Sequence, residues 1–181
     1  MVKSLCRLAQ EKPFSKITVR EITEGADVSR GAFYIHFTDI YDMYDQIENQ
    51  VIENLTAYFQ IYADTLEESD YEQMLVNIIQ YIETDKPLFQ MLFSMQSFRS
   101  RFTALLKEFD ETIWKIYSGR EISSDLWDYL ITYHIQGILA CLDQWLSRNP
   151  PFSHYDLIRM LTLLDNAFDD LVEEHCCNKQ T

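Results

Sequence analysis

The sequence predicts an all-α protein of about nine helices, with an N-terminal helix-turn-helix head of three helices on a larger helical body. Apolar residues make up 47% of the 181 residues, and only four Gly and four Pro interrupt them. That composition suits long regular elements with few irregular stretches. Apolar residues recur every three or four positions, and no period-2 runs bounded by turn residues occur, so we predict no sheet.

One stretch near the N-terminus has the pattern of two short helices joined by a tight turn. Thr18 is a good N-cap, and Glu21 three residues later completes a capping box. Asp27 and Val28 are expected to make the turn, with Val28 filling the angle between the helices. Ser29 then caps the second helix.

The second helix of this pair carries Phe33 on its inner face and leaves Arg30, Gly31, Tyr34 and His36 outside. A short helix that offers Arg and Tyr and no outward acid suits the major groove of duplex DNA. A helix-turn-helix hairpin that merely packs against its neighbours is the alternative interpretation.

The residues around this pair resemble the amino-terminal domain of the TetR family of transcriptional regulators. The resemblance rests on the segments PFSKITVREI, VSRG and FYIHF and covers residues 3–46. It implies a helix-turn-helix DNA-binding domain over residues 1–46 and an effector-binding and dimerisation domain over residues 47–181. The second region resembles the family only in helical layout and length. Residues 133–139 with Trp145 and Leu146 are similar to a carboxy-terminal subtype that includes an activator of dihydroxyacetone kinase genes.

By this resemblance residues 29–36 form the recognition helix, and a double-stranded DNA operator is the partner. Arg30 is the candidate for base contact, because its guanidinium can bind guanine O6 and N7 together. Tyr34 should touch a base edge or a phosphate. His36 either joins them or packs where the third helix meets the fourth. The complete set of predicted DNA-binding residues is Lys16, Thr18, Arg20, Ser29, Arg30, Gly31, Tyr34 and His36.

Three departures from the family pattern predict weaker DNA binding. Asp27 stands where the turn usually has Gly, Ala32 replaces a usual Thr or Ser, and Ile40 replaces a usual Lys. The first adds an acid near DNA, and the other two remove a hydroxyl and a cation that would contact phosphate. A helical regulator that acts through a protein partner is therefore the alternative function.

Capping and breaking residues predict the bounds of the other helices. The first should span residues 2–11 and the fourth should run from a Thr38 cap to about residue 64. The later bounds are a Ser69 or Asp70 cap for the fifth helix, ending near 85; Pro87 in the first turn of the sixth; residues 97–117 before Gly119 for the seventh; a Ser123 or Ser124 cap and an end near 148 for the eighth; and, after Pro150 and Pro151, a Ser153 cap with Asp156 for the ninth.

The last two helices predict a homodimer through residues 123–148 and 153–176. Residues 129–142 carry no formal charge, and a helix that is apolar all round must be covered all round. Gly137 would let another helix approach closely. In the ninth helix, apolar residues spaced 4-3-4-3 form a helix-packing seam at Leu157, Leu161, Leu164, Phe168 and Leu171. Ordinary core packing is the alternative.

The many aromatic residues of the body predict a cavity that binds a small effector, as the family resemblance implies. Solid core is the alternative for each of them. The acidic body favours a neutral or cationic effector over an anion. The predicted effector-binding residues are Tyr58, Tyr62, Phe89, Phe93, Trp114, Tyr117, Tyr133 and His134.

The charge distribution separates the two regions. Residues 1–37 hold six Lys or Arg against four acids, whereas residues 38–181 hold nine against 25, for a net charge of −14. A mildly basic head on an acidic body points the head at DNA and repels the body from it.

The sequence also predicts several absences. No apolar run reaches the ~20 residues of a membrane span and no signal peptide precedes the first helix, so we expect a cytoplasmic protein. We expect no cofactor and no metal, although His175, Cys176 and Cys177 could bind a metal or be oxidised; Cys6 and Cys141 should be reduced core residues. No acid lies in an apolar segment with a His or Ser partner at useful spacing, so we expect no enzyme.

Overall fold

The computed structural model describes residues 1–66, 68–118, 125–147 and 153–174, and of residues 68, 69, 117 and 118 only the backbone. These parts contain nine α-helices and no strand, which confirms the predicted fold class. A short 3-10 helix over Phe14–Lys16 lies between the first two. The helices are α1 Val2–Glu11, α2 Val19–Gly25, α3 Arg30–His36, α4 Ile40–Thr65, α5 Glu68–Thr84, α6 Lys86–Phe93, α7 Gln96–Ser118, α8 Asp125–Ser147 and α9 His154–Val172.

The head consists of α1, α2 and α3, and its turn geometry follows from local sequence. Thr18 and Glu21 form the predicted capping box at the start of α2. Asp27 has φ of 52°, so a residue that tolerates the left-handed region occupies the turn. At Gly25 an added Cβ would lie 2.4 Å from Ser4 Oγ, so α2 approaches α1 as closely as it does only because no side chain is present. Val28 is 39% exposed and does not fill the interhelical angle as expected.

The cap of α4 lies one residue beyond the predicted one. Asp39, not Thr38, is the N-cap, and its Oδ1 accepts a hydrogen bond from the Asp42 backbone N–H at 2.8 Å. The Asp42 carboxylate in turn accepts from the Thr38 N–H at 2.7 Å. Both residues carry a suitable side-chain oxygen, so the sequence alone does not decide between them.

The other bounds agree with the sequence to within a few residues. Helix α5 begins at Glu68, which places the predicted caps Ser69 and Asp70 inside it. Pro87 lies in the first turn of α6, and Ser153 with Asp156 forms a capping box at the start of α9, as predicted. The predictions for Gly119, Ser123, Ser124, Pro150, Pro151 and residues 175–177 concern positions outside the described residues.

The body packs α4, α5, α7, α8 and α9 around one apolar core, while α6 lies between the head and α8. Gln90 on α6 joins both sides. Its Oε1 accepts from Gln10 Nε2 on α1 at 2.9 Å, and its Nε2 donates to the Leu146 carbonyl on α8 at 2.7 Å. None of the described helices has the length and low polarity needed to cross a membrane.

Helices α8 and α9 leave apolar side chains uncovered. Tyr129 and Tyr133 on α8 are 77% and 80% exposed, so within one chain the uncharged run is not covered all round. The predicted α9 seam divides: Leu157, Leu161 and Phe168 are buried within the chain, whereas Leu164 and Leu171 are about half exposed. The 4-3 spacing could not tell the buried residues from the exposed ones, because both groups lie along the same side of the helix.

Candidate nucleic-acid interface and ligand cavity

The orientation of α3 is fixed by a cap and a buried ring. The Ser29 hydroxyl accepts a hydrogen bond from the Ala32 N–H at 3.1 Å, as the sequence predicts. Phe33 has no exposed surface and packs against Phe37 at a ring-centroid distance of 5.3 Å. Because Phe33 points into the core, the opposite side of α3 must face outward.

The outward face of α3 carries the predicted residues Arg30, Gly31, Tyr34 and His36, all exposed. It also carries Ile35, which is 77% exposed and was missed by the sequence analysis. The sequence could have predicted that Ile35 faces outward, since position 35 lies one helical turn after Gly31. A large apolar side chain among polar ones suits contact with a thymine methyl group.

The cationic residues that we predicted to contact DNA differ in whether an acidic side chain pairs with them. Among the described residues no hydrogen bond or ion pair holds the side chain of Arg30 or Lys16. Arg20 donates from Nε to Glu24 Oε1 at 2.6 Å, and both side chains are more than half exposed. Exposed ion pairs contribute little free energy, so a phosphate could replace Glu24 as the partner of Arg20 at small cost.

Thr18 is already engaged within the head. Its hydroxyl accepts from the Glu21 N–H at 3.3 Å and donates to Glu21 Oε2 at 2.7 Å. Hydrogen bonds from Lys12 and Thr18 lower the pKa of Glu21 to about 2, so a carboxylate occupies this helix N-terminus. A phosphate contact by Thr18 would have to displace it.

Two further residues, His36 and Ile40, lie where α3 meets α4. The His36 side chain is exposed, and its backbone carbonyl accepts from Gln46 Nε2 at 3.3 Å. Ile40, where the family resemblance implies Lys, is half-buried and packs against the core.

A cavity of about 50 Å³ lies between α4, α5, α7, α8 and α9. Most of its lining is apolar, and the polar groups are gathered on α5, α7, α8 and α9. The lining residues are Phe59, Tyr71, Met74, Leu75, Ile78, Ile79, Phe102, Leu106, Phe109, Asp110, His134, Ile138, Leu142, Leu161 and Asp165.

A buried imidazole is the centre of the polar groups. His134 Nε2 lies 2.8 Å from Asp165 Oδ1, and Tyr71 donates its hydroxyl to Asp165 Oδ2. On its other side, His134 Nδ1 lies 3.3 Å from Asp110 Oδ2, so the two side chains form a buried ion pair. The Phe168 ring stacks on the imidazole with centroids 4.0 Å apart.

The two carboxylates determine the charge of His134. Burial opposes the charged imidazole, but the hydrogen bonds and charges of Asp110 and Asp165 outweigh it and raise the pKa to about 9. Burial also raises the pKa of Asp110, and burial together with the neighbouring Asp165 and Asp110 raises the pKa of Asp169 to about 7. The cluster therefore carries a cationic His134 among crowded acids.

The cavity contains one of the predicted effector-binding residues, His134. Tyr62 is buried against Tyr71, the ring of Tyr58 lies at a tilt against that of Tyr81, and Phe89 and Phe93 are buried outside the cavity lining. Trp114 is half-buried on α7, and the side chain of Tyr117 is outside the described parts. Tyr133, next to His134 in sequence, points outward from α8.

An open groove of about 490 Å³ runs between α4 and α7 on the outer side of the cavity. Phe59 and Phe109 line both spaces, and their rings lie 4.6 Å apart. These two rings therefore separate the cavity from the groove.

The fold and the head define a helix-turn-helix DNA-binding regulator. Residues 2–47 match the family model described as bacterial regulatory proteins of the tetR family. Residues 69–166, more than half of the chain, match the model described as the transcriptional regulator C-terminal region. The chain belongs to the TetR family of transcriptional regulators.

A solved structure shares the whole fold. The chain is similar to the dihydroxyacetone kinase operon activator DhaS, with a TM-score of 0.59 and 17% identity over 95% of this chain and 93% of that one. At that identity the likeness concerns the fold alone. No curated protein sequence matches the chain.

Proposed function

We propose that this protein binds a palindromic DNA operator as a homodimer and that a small effector controls the binding. The observation that carries the proposal is the outward face of α3, where the unpaired Arg30 lies beside Tyr34 and Ile35 on a helix anchored by Phe33. An Arg presented in this way can bind guanine through two hydrogen bonds. The proposed site of action is the cytoplasm, where the operator would be found.

The uncovered faces of α8 and α9 support the dimer. On α8 the exposed residues from Tyr129 to Ala140 carry no charge, and around Gly137 nothing lies within 4 Å of an added Cβ. A second helix could therefore approach α8 closely at Gly137. Leu164 and Leu171 supply exposed apolar surface on α9.

The cavity beside His134 supports the control by an effector. It is mostly apolar and contains a few placed polar groups, as ligand sites commonly do. It also touches α8 and α9, which we propose as the dimer interface, and α4, which leads directly from the head. An occupant could therefore change the relation between the two heads.

A regulator that acts through a protein partner is the second candidate. The observation in its favour is the small supply of available cations in the head, where Arg7, Lys12 and Arg20 are all paired with glutamates. Fewer free cations mean fewer phosphate contacts and weaker binding to any duplex.

Footprinting of the DNA upstream of the gene separates the two candidates. Protection of a palindromic segment by the wild type, and its loss in Arg30→Ala, would support direct operator binding. A Lys107→Ala variant is the control, because Lys107 is an exposed cation on α7, outside both the head and the proposed dimer helices. Absence of protection at low salt would favour the protein partner.

A further inference from the structure

A glutamate on α4 is buried where that helix meets the start of α7. Glu48 is 3% exposed, a position in which an unpaired carboxylate would carry a large desolvation cost. Its Oε2 accepts a hydrogen bond from the Ser97 hydroxyl at 2.8 Å, and its Oε1 accepts from Arg101 Nη1 at 2.9 Å. Both oxygens of one α4 side chain are therefore held by side chains of α7.

The hydrogen bonds extend from Glu48 back toward the head. The Ser97 hydroxyl has one proton and donates it to Glu48, so the Tyr44 hydroxyl is the donor in the 3.2 Å contact between Tyr44 and Ser97. The Tyr44 ring in turn packs edge-on against Phe14, in the 3-10 helix between α1 and α2. A connected series of side chains thus runs from the head through α4 to the first turn of α7.

The carboxylate keeps its charge in this junction. Burial opposes the charged form, but the hydroxyl groups of Tyr44 and Ser97 and the guanidinium of Arg101 outweigh it and lower the pKa of Glu48. Arg101 also donates to Asn49 Oδ1 at 2.8 Å, so it binds two successive residues of α4. Charge-assisted hydrogen bonds have specific geometry, so the Glu48 cluster (Tyr44, Glu48, Ser97 and Arg101) favours one register of α4 against α7.

The place of the Glu48 cluster in the fold connects it to both ends of the molecule. Met43 and Tyr44 are buried at the head end of α4, so the head follows this part of the helix. On the other side, α7 begins three residues after α6 ends, and α6 packs against both α1 and α8. The register of α4 against α7 therefore relates the head to α8, which we propose as part of the dimer interface.

We infer that Glu48 is a positioning residue for operator binding, which fixes α4 against α7 and thereby sets the orientation of each head on its body and the half-site spacing that the dimer accepts. The inference rests on the proposed function, because spacing is defined only for a dimer on a two-part operator. Since Glu48 is buried, it cannot contact DNA itself. Its replacement should relax the spacing and leave the reading of each half-site unchanged.

Residual dipolar couplings of backbone amides, measured on the full chain without DNA, test the orientation of the head. In the wild type, the amides of α2, α3 and α8 should fit one alignment tensor. Glu48→Gln keeps the side-chain shape and removes the charge, so we expect its head amides to need a tensor of smaller magnitude or different orientation. Glu53→Gln is the matched control, because Glu53 is an exposed glutamate of the same helix, and should behave as the wild type does.

The spacing preference on DNA tests the consequence for binding. The probe is the palindrome that the wild type selects from random duplexes, with one base pair inserted or removed at its centre. Each step changes the separation by about 3.4 Å and the rotation by about 34°, so the wild type should lose about tenfold in affinity, as for one mismatched base pair. Glu48→Gln should lose only about threefold, half of that free energy. Both proteins should discriminate equally at the base pair that Arg30 reads.

Two further variants distinguish positioning from a general loss of stability. Leu55→Ala leaves a cavity under a buried part of α4 outside the Glu48 cluster, so it should destabilise the protein and keep the wild-type spacing preference. Ser97→Ala removes the hydrogen bond to Glu48 Oε2 from the α7 side and should relax the spacing as Glu48→Gln does.

The results that would overturn the inference differ from those that would contradict operator binding. A Glu48→Gln protein whose head and body share the wild-type tensor would overturn it, as would an unchanged tenfold loss on the altered spacings or an equal relaxation in Leu55→Ala. A wild type that binds no duplex would instead contradict the proposed function, and the dipolar couplings, which need no DNA, would still decide whether Glu48 orients the head.

Discussion

Arg30 and Lys16 are both free cations of the head, but they should contribute differently to DNA binding. Arg30→Ala removes a bidentate base contact, so we expect a loss of about 1–3 kcal/mol on the selected operator and relaxed preference at one position of each half-site. Lys16→Ala removes a phosphate contact and should weaken all duplexes alike, lowering the log–log salt slope by about one. Fluorescence anisotropy on selected and random DNA measures both. Equal effects of the two changes on both DNAs would remove Arg30 from the reading role.

Ile35 should read a thymine methyl group. Replacing one thymine of the operator by deoxyuridine removes that methyl, and burial of a group of this size contributes about 0.8 kcal/mol, or roughly a fourfold change in Kd. We expect this loss with the wild type at one position of each half-site and no loss with Ile35→Ala. The other thymines serve as internal controls. A deoxyuridine scan without any sensitive position would contradict a methyl contact by Ile35.

The exposed part of α9 should form the dimer interface together with α8. Leu164→Glu places a charge in that surface, so we expect the wild type to sediment as a dimer and the variant as a monomer at the same concentration. Ile61→Glu is the matched control, because Ile61 is an exposed apolar residue of α4 and is 65% exposed against 53% for Leu164. Phe168 does not serve this test, because it is buried against His134 within its own chain. A monomeric wild type would contradict the interface.

The α7, α8 and α9 cluster around His134 should make stability depend on pH. In the folded protein the pKa of His134 is about 9, above the ordinary 6.5. The stability that the protonated His134 contributes is therefore fully present below pH 6.5 and is lost as pH rises through 9. We expect the free energy of unfolding in urea to fall by on the order of 3 kcal/mol across that interval. Asp169, whose raised pKa of about 7 penalises its charged form, adds a loss of the same sign at lower pH.

Two histidine variants test the source of this pH dependence. His134→Asn should lack the fall between pH 6.5 and 9, while His154→Asn should keep it. His154 pairs with Glu83 on the half-exposed surface and is therefore the matched control. An unchanged pH profile in His134→Asn would show that another group is responsible.

The elements differ in how far the sequence could predict them. The helices and the head were predictable because caps and 3.6-residue periodicity are local: Thr18, Ser29 and Ser153 each act within four residues of their own position. The choice between Thr38 and Asp39 as the cap of α4 was not, since both can supply the oxygen.

Local sequence patterns could not predict which residues line the cavity. Asp110 and Asp165 lie 55 residues apart in sequence and meet only because α7 and α9 pack on opposite sides of His134. Tyr133 and His134 are adjacent, yet one is 80% exposed and the other faces the cavity, since successive helix positions point about 100° apart. Aromatic composition predicted that a cavity could form but not which side chains would line it.

At the scale of the molecule, the charge distribution and the contacts between helices both fit a head that binds DNA and a body that controls it. Residues 38–181 carry all of the excess negative charge, so DNA is attracted only at the head. Helix α4 runs from the head to the cavity, where Phe59 lines the wall, and Gln90 links α1 to α8. These contacts connect the DNA-binding head to the proposed interface and to the cavity.

Selection of the wild-type protein's preferred sequence from a pool of random duplex DNA tests the central claim most directly. Dimeric binding through α3 predicts enrichment of a palindrome whose half-sites lie about one helical turn apart, bound by the wild type and released by Arg30→Ala. Retention of no duplex even at low salt, or enrichment of a sequence that Arg30→Ala binds equally well, would contradict operator recognition by this head.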